Sequence, residues 1–247
     1  MSEPAGRGRV SIVQLIPNMV TLAGMSLGLT SIRFAIDERY SIAAFLILMA
    51  VVFDGLDGLL ARRLRASSEL GAQLDSLSDF VSFGVAPAVL VYHFLLAPLP
   101  GLGWVFALLF AAASALRLAR FNAQSGKADA DGDDRYHFTG VPAPAAAMLG
   151  LFPVFLVLAG LDEPGRWPLA VALWLGLVAL LMVSTLKTLS PKAMRVRPGQ
   201  VVFVFVLTVA VVGLTLTRPW LLMVILDLAY LGYLGMAISR ARGRILG

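Results

Sequence analysis

The sequence predicts an all-α integral membrane protein, a bundle of about eight transmembrane helices with both termini in the cytoplasm. Three observations lead to this prediction: an apolar composition, a series of long apolar runs and an uneven distribution of basic residues. Of the 247 residues, 59% are hydrophobic and 14% are charged. A soluble domain is nearer one half hydrophobic and one quarter charged, so this composition excludes an ordinary soluble protein.

The apolar runs are each long enough to cross the hydrocarbon core as a helix, which takes roughly 17 to 25 residues. Their even apolarity lacks the alternation that is typical of an outer-membrane barrel strand. We therefore predict a cytoplasmic or interfacial segment at 1–14, one transmembrane domain at 15–240 and a basic cytoplasmic tail at 241–247. The predicted spans are 15–36, 41–61, 72–96, 102–121, 141–160, 168–187, 200–217 and 219–239.

The basic residues between the predicted spans indicate the orientation, because loops rich in lysine and arginine stay in the cytoplasm. One side would hold 16 of the 20 lysines and arginines, and the other would hold Arg33, Arg39, Arg166 and Arg218. The net charge of +5 follows from this topology. Since the arginines are dispersed between spans, we expect membrane lipids as partners and no nucleic acid. The chain has no cysteine, which excludes disulfides and thiolate metal sites.

One polar segment interrupts the apolar pattern, FDGLDGLLARRLRASSELGAQLDSLSDF at residues 53–80. It brings four aspartates into predicted spans, where each costs about 2.5 to 3.5 kcal/mol on insertion scales. Asp54 and Asp57 are three residues apart, and Asp75 and Asp79 are four apart, so each pair shares one helix face. The residues 62–70 between them predict a cytoplasmic turn, which would place both pairs near one membrane surface.

Four carboxylates that converge across a hairpin would repel one another unless cations neutralised them. Oxygen ligands without histidine or cysteine favour Mg²⁺, Mn²⁺ or Ca²⁺ over zinc or copper. Gly58, Ala61 and Gly71 leave space beside the acids, and Arg62 adds a guanidinium suited to a phosphate. The pattern predicts a pyrophosphate site on two metals. A plainer interpretation is that the acids lie at helix ends and pair with nearby arginines. The presence of four acids together with their glycines argues against that interpretation.

Written as a motif, the segment reads DxxDGxxARx8GxxxDxxxD and resembles the signature of the CDP-alcohol phosphotransferases, membrane enzymes of phospholipid synthesis. Other stretches resemble the branch of that family that uses serine as the acceptor alcohol. They are LIPNMVTLAGMSLGL at 15–29, SFGVAPAVLVY at 82–92, LRLARFN at 116–122, FTGVPAPAAA at 138–147 and STLKTLSPK at 184–192. Val141 and Ala143 depart from the pattern of that branch, which leaves the acceptor open.

The resemblance implies roles for the signature residues. Asp54, Asp57 and Asp75 would bind both of two Mg²⁺ or Mn²⁺ ions, and Asp79 would bind one ion and act as the general base. The pocket for the cytidine nucleotide and its phosphates would comprise Gly58, Ala61, Arg62 and Gly71. The substrates would be CDP-diacylglycerol and serine, and the products phosphatidylserine and CMP. The resemblance also implies a homodimer in the cell (inner or cytoplasmic) membrane, with the active site toward the cytoplasm.

The acceptor pocket is less well defined by the sequence. Arg117 and Arg120 are three residues apart near the end of the fourth predicted span, and either guanidinium suits a carboxylate or a lipid phosphate. Asn122 follows them, and Asn18 follows Pro17 at the start of the first span. For the arginines the alternative is a role as cytoplasmic anchors, and for Asn18 it is a role in starting the helix.

Three alternatives remain at this point. The same reaction with glycerol 3-phosphate, an inositol phosphate or choline would need further cations or an aromatic cage near Asp79. A divalent cation transporter would place acids near the bilayer midplane in related halves of the chain, and no repeat is visible. The acidic residues 122–140 resemble part of a calcium loop but lack its closing glutamate, so they predict a solvated cytoplasmic loop.

Overall fold

The structure, a computed structural model, describes residues 12–66, 68–131, 141–184 and 211–243. These residues form helices joined by short turns, and no strand occurs among them. The helices are α1 (Ile12–Ile36), α2 (Tyr40–Leu64), α3 (Glu69–Asp79), a π-helical turn (Phe80–Val85), α4 (Ala86–Leu95), α5 (Pro100–Asp131), α6 (Ala143–Leu158), α7 (Pro168–Val183), α8 (helical residues 211–217) and α9 (Pro219–Gly243).

Five helical segments are long and apolar enough to cross a membrane, which makes the chain a multi-pass membrane protein. They are Leu15–Ile36, Tyr40–Leu64, Glu69–Leu95, Pro100–Ala123 and Pro219–Met236. The third comprises α3, the π-helical turn and α4 as one continuous span. Most of the predicted span at 200–217 lies outside the described residues, of which 211–217 are helical.

Two predicted spans, 141–160 and 168–187, are shorter in the structure than the sequence suggested. α6 and α7 each have 16 residues, or about 24 Å at 1.5 Å per residue, against a hydrocarbon core of about 30 Å. The extended backbone of Pro142 (ψ 148°) sets the start of α6, and Gly160, with φ +74°, follows its end. α7 begins with Pro168 in its first turn and ends at the extended Ser184. The backbone conformations of these boundary residues thus set the lengths of both helices.

Helix α5 is longer than predicted, because it continues to Asp131. The first ten residues of the predicted loop 122–140 are therefore helical, and 132–140 lie outside the described residues. The stretch NAQSGKADAD contains three alanines and no proline, so a helix can continue through it despite Gly126. A long α5 would carry the chain beyond the membrane surface.

Helix α1 is the packing centre of the site half of the molecule, since α2, α3, the π-helical turn and α4 all pack against it. Two glycines one turn apart allow this close approach. A Cβ on Gly24 would lie 3.3 Å from Cβ of Phe53, and a Cβ on Gly28 would lie 2.8 Å from Cα of Ser82. The hydroxyl of Ser82 donates to the Gly24 carbonyl (3.4 Å), and that of Ser78 donates to the Thr21 carbonyl (3.2 Å). These bonds fix the acid-bearing third span against α1.

Replacing Gly28 with alanine should destabilise the protein, because the added methyl group meets the backbone of Ser82. Overpacking of this kind typically costs about 1 to 3 kcal/mol. Gly55→Ala is the matched control, since a Cβ there meets nothing within 4 Å, and helix propensity should make it neutral or slightly stabilising. Thermal unfolding in detergent should show a lower Tm for Gly28→Ala alone. Equal Tm values for the two variants would contradict the close packing of α1.

Helices α6 and α7 are joined by a hydrogen bond that a proline makes necessary. Pro153 has no N–H and cannot bond the carbonyl of Leu149, four residues earlier in α6. The indole Nε1 of Trp174 on α7 donates to that carbonyl at 2.7 Å. The freed backbone oxygen is thus satisfied by a neighbouring helix, as apolar surroundings require.

The hydrophobic core lies mainly among α4, α5, α6 and α7, away from the four aspartates. A smaller apolar cluster lies directly beside the aspartates along their helices. Its Ala50 is one turn before Asp54 on α2, and its Phe83 is one turn after Asp79. Both side chains are 1% exposed. This cluster separates the polar site from the apolar interior.

Candidate active site

The aspartates lie on two helices that are connected by a tight turn. α2 ends at Leu64 and is followed by Arg65 in the left-handed conformation (φ 49°), and α3 begins after Ser68. The Ser68 side chain accepts a hydrogen bond from the Gly71 N–H (3.0 Å) and thereby caps α3. The predicted turn at 62–70 is therefore present but shorter, because both helices extend into it. The two helices pack mainly against α1 rather than against each other, which leaves a gap between them.

The gap between α2 and α3 contains the carboxylates. One oxygen from each of Asp54, Asp57 and Asp75 lies within 4.8 Å of the other two. Asp57 is 5% exposed, and the Asp54 side chain also contacts that of Asp79. The structure thus brings together all four aspartates that the sequence predicted as metal ligands.

This arrangement is suited to divalent cations. No salt bridge joins any of the four carboxylates to a lysine or arginine among the described residues. Carboxylates this close repel strongly in surroundings of low dielectric constant unless positive charge lies between them. Several oxygen donors within about 5 Å of one another, without histidine or cysteine, match the donor set of Mg²⁺ or Mn²⁺. The residues therefore fit a divalent metal centre.

A cavity of about 190 Å³ adjoins the carboxylates between α1, α2 and α3. Three of the predicted nucleotide-pocket residues, Gly58, Ala61 and Gly71, line it, and a Cβ on Gly71 would lie 3.0 Å from Oδ1 of Asn18. Arg62 lies beside it, with one guanidinium nitrogen 3.8 Å from a Cβ built on Gly58. The full lining is Pro17, Asn18, Thr21, Asp57, Gly58, Ala61, Ala66, Ser68, Gly71, Ala72 and Asp75.

The cavity changes the interpretation of Asn18, which the sequence placed tentatively with the acceptor. Asn18 lines the same cavity as Gly58 and Gly71, which the sequence assigned to the nucleotide pocket. Thr21, one turn further along α1, was missed by the sequence analysis. Its hydroxyl lies beside the Asp57 carboxylate and donates to the Pro17 carbonyl (3.0 Å). The spacing of Asn18 and Thr21 on one helix face was the available signal.

The π-helical turn begins immediately after Asp79. The N–H of Ala86 bonds the carbonyl of Val81, five residues earlier, which is the π-helical pattern. Such turns insert one extra residue into a helix and are frequent at functional sites. Here the turn brings Gly84 against α5, where an added Cβ would lie 2.9 Å from Oγ of Ser114. The third span thus reaches α5 next to the last aspartate.

Of the two arginines on α5, the structure brings one to the carboxylates. The Arg117 guanidinium interacts electrostatically with Asp79, and its buried Nε has no hydrogen-bond partner among the residues that the structure describes. Arg120 is exposed and donates to the Val183 carbonyl at the end of α7 (2.8 Å). Arg120 therefore satisfies a helix C-terminus rather than the site.

Asn122 contacts the site through an intermediate residue. Its amide nitrogen donates to Oγ of Ser76 on α3 (3.0 Å), adjacent in sequence to Asp75. The Ser76 hydroxyl is also within hydrogen-bonding distance of the Ala72 carbonyl (3.1 Å). Asn122 therefore fixes α5 to the acid-bearing helix and supports the position of Asp75.

Comparison with known proteins identifies the family. The family model for CDP-alcohol phosphatidyltransferase matches residues 14–183, which contain the four aspartates and the whole cavity. The chain belongs to the CDP-alcohol phosphatidyltransferase family. Members of this family are membrane enzymes that depend in general on divalent metals, and the aspartate cluster agrees with that dependence.

Two mycobacterial relatives are similar along almost the whole chain, and an archaeal one is similar along part of it. A CDP-diacylglycerol--serine O-phosphatidyltransferase of Mycobacterium leprae is 37% identical over 244 residues, 98% of this chain and 80% of the relative. The protein of the same name in Mycobacterium bovis is 34% identical over 246 residues, 98% of this chain and 84% of the relative. One in Methanocaldococcus jannaschii is 43% identical over 104 residues, 42% of this chain and 46% of the relative.

Proposed function

We propose that this protein transfers the phosphatidyl group of CDP-diacylglycerol to the hydroxyl of L-serine, giving phosphatidylserine and CMP. The observation that carries the proposal is the convergence of Asp54, Asp57 and Asp75 within 4.8 Å, with Asp79 alongside. It occurs in a chain whose relatives at 34–37% identity over 98% of its length are named for this reaction. The family membership argues against the transporter alternative.

Two Mg²⁺ or Mn²⁺ ions would be held by Asp54, Asp57, Asp75 and Asp79. When bound, such ions neutralise the charge that develops on the phosphate oxygens during transfer. Asp57, Gly58, Ala61 and Gly71 line the cavity that would take the cytidine nucleotide. Arg62, beside that cavity, would hold a phosphate oxygen by charge-assisted hydrogen bonds.

The protein's own residues account for the remaining steps. Asp79 accepts the proton of the serine hydroxyl, whose oxygen forms a bond to the phosphorus that bears diacylglycerol. The bond from that phosphorus to the oxygen of CMP breaks, and CMP leaves with the electron pair. The Arg117 guanidinium lies next to Asp79 and would orient the acceptor or the lipid phosphate. The acyl chains stay in the bilayer beside the exposed Leu56 and Leu77.

The orientation of the protein is part of the proposal. The excess of basic residues on one side supports cytoplasmic termini and a site that opens to the cytoplasm. The hairpin turn after Arg62, Arg63 and Arg65 would then face the cytoplasm, where CMP and serine are soluble. We place the protein in the cell membrane, and the homodimer implied by the family resemblance stays a prediction.

Isotope transfer tests the proposed reaction. The purified protein would be incubated with CDP-diacylglycerol, Mn²⁺ and L-serine carrying ¹⁸O in its hydroxyl. We expect phosphatidylserine that retains the label, in equal amount to unlabelled CMP, by mass spectrometry. Absence of phosphatidylserine, or label in CMP, would contradict the proposal.

Substitution of Arg62 by alanine should weaken binding of CDP-diacylglycerol, because a phosphate loses a charged donor beside the cavity. A hydrogen bond to a charged group contributes about 1.5 to 3 kcal/mol, so KM for CDP-diacylglycerol should rise by at least about tenfold. Arg63→Ala is the matched control: both arginines are exposed, but it is Arg62 whose guanidinium lies 3.8 Å from a Cβ built on the cavity residue Gly58. Equal KM values for the two variants would show that Arg62 does not contact the phosphates.

A further inference from the structure

Helix α5 and the third membrane span pack against each other beside the carboxylates, and two contacts fix their register. At one contact, the Asn122 amide nitrogen on α5 donates to Oγ of Ser76, with 3.0 Å between the two atoms. At the other, a Cβ built on Gly84 would lie 2.9 Å from Oγ of Ser114. From the first contact to the second, residue numbers rise along the third span and fall along α5. The two helices are therefore antiparallel.

Arg117 and Asp79 both lie between these two contacts. Arg117 is three residues after Ser114 on α5, and Asp79 is three residues after Ser76 on the third span. In an antiparallel pair, equal offsets from the two contacts place both residues on the same side of the helix pair and at neighbouring depths. The electrostatic interaction between the Arg117 guanidinium and Asp79 agrees with this geometry. The register thus positions Arg117 beside the proposed general base.

The Arg117 guanidinium has donors to spare. Its buried Nε has no hydrogen-bond partner among the described residues, and no salt bridge among them joins Arg117 to an acid. A guanidinium has five N–H donors and stays charged, so in partly buried surroundings it favours an anion as its partner. The Ser114 hydroxyl is also unpartnered in the described part of the chain, but it is 0% exposed beneath Gly84. Arg117 is only partly buried, so a ligand can reach it.

The other arginines near the site are placed differently. Arg120 is exposed and donates to the Val183 carbonyl at 2.8 Å. Arg62 lies beside Gly58, at the cavity that we propose for the nucleotide. Arg117 does not line that cavity. An anion at Arg117 would therefore lie outside the proposed nucleotide cavity and beside Asp79, which the acceptor hydroxyl must approach.

The chemistry of serine suits this position. Only Cα and Cβ separate its hydroxyl oxygen from its carboxylate, so the group that binds the carboxylate must lie close to the base that takes the hydroxyl proton. A guanidinium can donate two parallel hydrogen bonds to a carboxylate, which fixes its orientation as well as its position.

We propose that Arg117 is a specificity-determining residue that binds the carboxylate of the acceptor amino acid through paired hydrogen bonds. The bound carboxylate holds the acceptor with its hydroxyl toward Asp79. This inference rests on the proposed function, because it names the part of serine that the site recognises.

The test compares serine with serinol as acceptors for Arg117→Gln. Serinol, 2-amino-1,3-propanediol, has the hydroxyl and ammonium groups of serine but no carboxylate. We expect KM for serine to rise about 10- to 100-fold, as loss of hydrogen bonds to a charged group predicts, with KM for CDP-diacylglycerol unchanged. The ratio of kcat/KM for serine to that for serinol should fall at least about tenfold. An effect of Arg117 on Asp79 alone would lower both values together and leave the ratio unchanged.

Two further variants make the test specific. Arg120→Gln is the matched control, because it removes the same group about one turn further along α5, and its acceptor ratio should equal that of the wild type. Arg117→Lys keeps the charge but loses the planar pair of donors, so its ratio should fall less than that of Arg117→Gln. Calorimetric titration with CDP checks that each variant is folded. If Arg117→Gln does not bind CDP, a wild-type acceptor ratio in Arg117→Lys would overturn the inference.

The outcomes separate this inference from the proposed function. Serine-dependent CMP release by the wild type, with a wild-type acceptor ratio in a folded Arg117→Gln protein, would overturn the role of Arg117 alone. A rise confined to KM for CDP-diacylglycerol would also overturn it, because the anion at Arg117 would then be the lipid phosphate. Absence of serine-dependent release by the wild type would overturn the proposed function, and this inference with it.

Discussion

Replacing Asp79 with asparagine should lower kcat by about 10²- to 10⁴-fold, the range typical of a lost general base. The amide cannot take the proton of the acceptor hydroxyl. Binding of the nucleotide should persist, because Asp79 does not line the cavity that contains Gly58, Ala61 and Gly71. CMP release would measure turnover, and calorimetric titration with CDP would measure nucleotide binding.

The control for this variant is another acid inside the membrane. Asp227 is 3% exposed on α9, and no salt bridge or hydrogen bond joins it to the four aspartates. Asp227→Asn changes the same functional group at a position that is more buried than Asp79, so turnover should be retained. Normal turnover in a folded Asp79→Asn protein would contradict the assignment of the base. Equal losses in both variants would indicate a general effect of removing an intramembrane carboxylate.

The second large effect is expected from Asp57→Asn, which removes one charge from the metal centre. Changes in residues that only support metal ligands already cost about 10- to 100-fold in metal affinity, so a direct ligand should cost at least about 100-fold. Asp57 is the least exposed of the four acids. A water molecule would therefore replace its oxygen as a metal ligand less easily than that of the other three. Electron paramagnetic resonance of free Mn²⁺ would measure the dissociation constant without depending on activity.

Asp37→Asn is the matched control for the metal measurement. Asp37 forms an exposed ion pair with Arg33 (3.6 Å) at the end of α1, and such pairs contribute about 0 to 1 kcal/mol. Its loss should leave Mn²⁺ affinity and stability nearly unchanged. Wild-type Mn²⁺ affinity in the Asp57 variant would rule out Asp57 as a metal ligand.

The sequence predicted the central part of the site because helical periodicity alone brings its residues together. Intervals of three and four residues place each aspartate pair on one face, and a short turn places the two faces opposite each other. The structure shows these acids converging and the small residues Gly58, Ala61 and Gly71 lining the adjoining cavity. These features depend on local geometry and one hairpin, so a single sequence contains them.

Contributions from distant helices could not be predicted in this way. Thr21 meets Asp57 only because Gly24 and Gly28 allow α1 to approach α2 and the π-helical turn. The Asn122 amide on α5 likewise meets Ser76 on α3 only once these helices pack, with 3.0 Å between its nitrogen and Oγ. Such contacts depend on tertiary packing, and an apolar pattern does not show which face of a membrane helix meets which neighbour.

The helix lengths show the same limit. Hydropathy predicted spans at 141–160 and 168–187, although Pro142 and Gly160 flank α6 and the extended Ser184 ends α7. These residues were available signals, but an apolar run continues through them. The lengths of α6 and α7 are thus set by backbone conformation rather than by hydrophobicity.

The most direct test of the central claim is CMP release by the purified protein with CDP-diacylglycerol and Mn²⁺. Serine, glycerol 3-phosphate, inositol phosphate and choline would be compared as acceptors, each with and without a chelator. We expect release that requires both serine and the metal. Metal-dependent release with another acceptor and none with serine would contradict serine transfer, and release that persists under chelation would contradict the metal centre formed by the four aspartates.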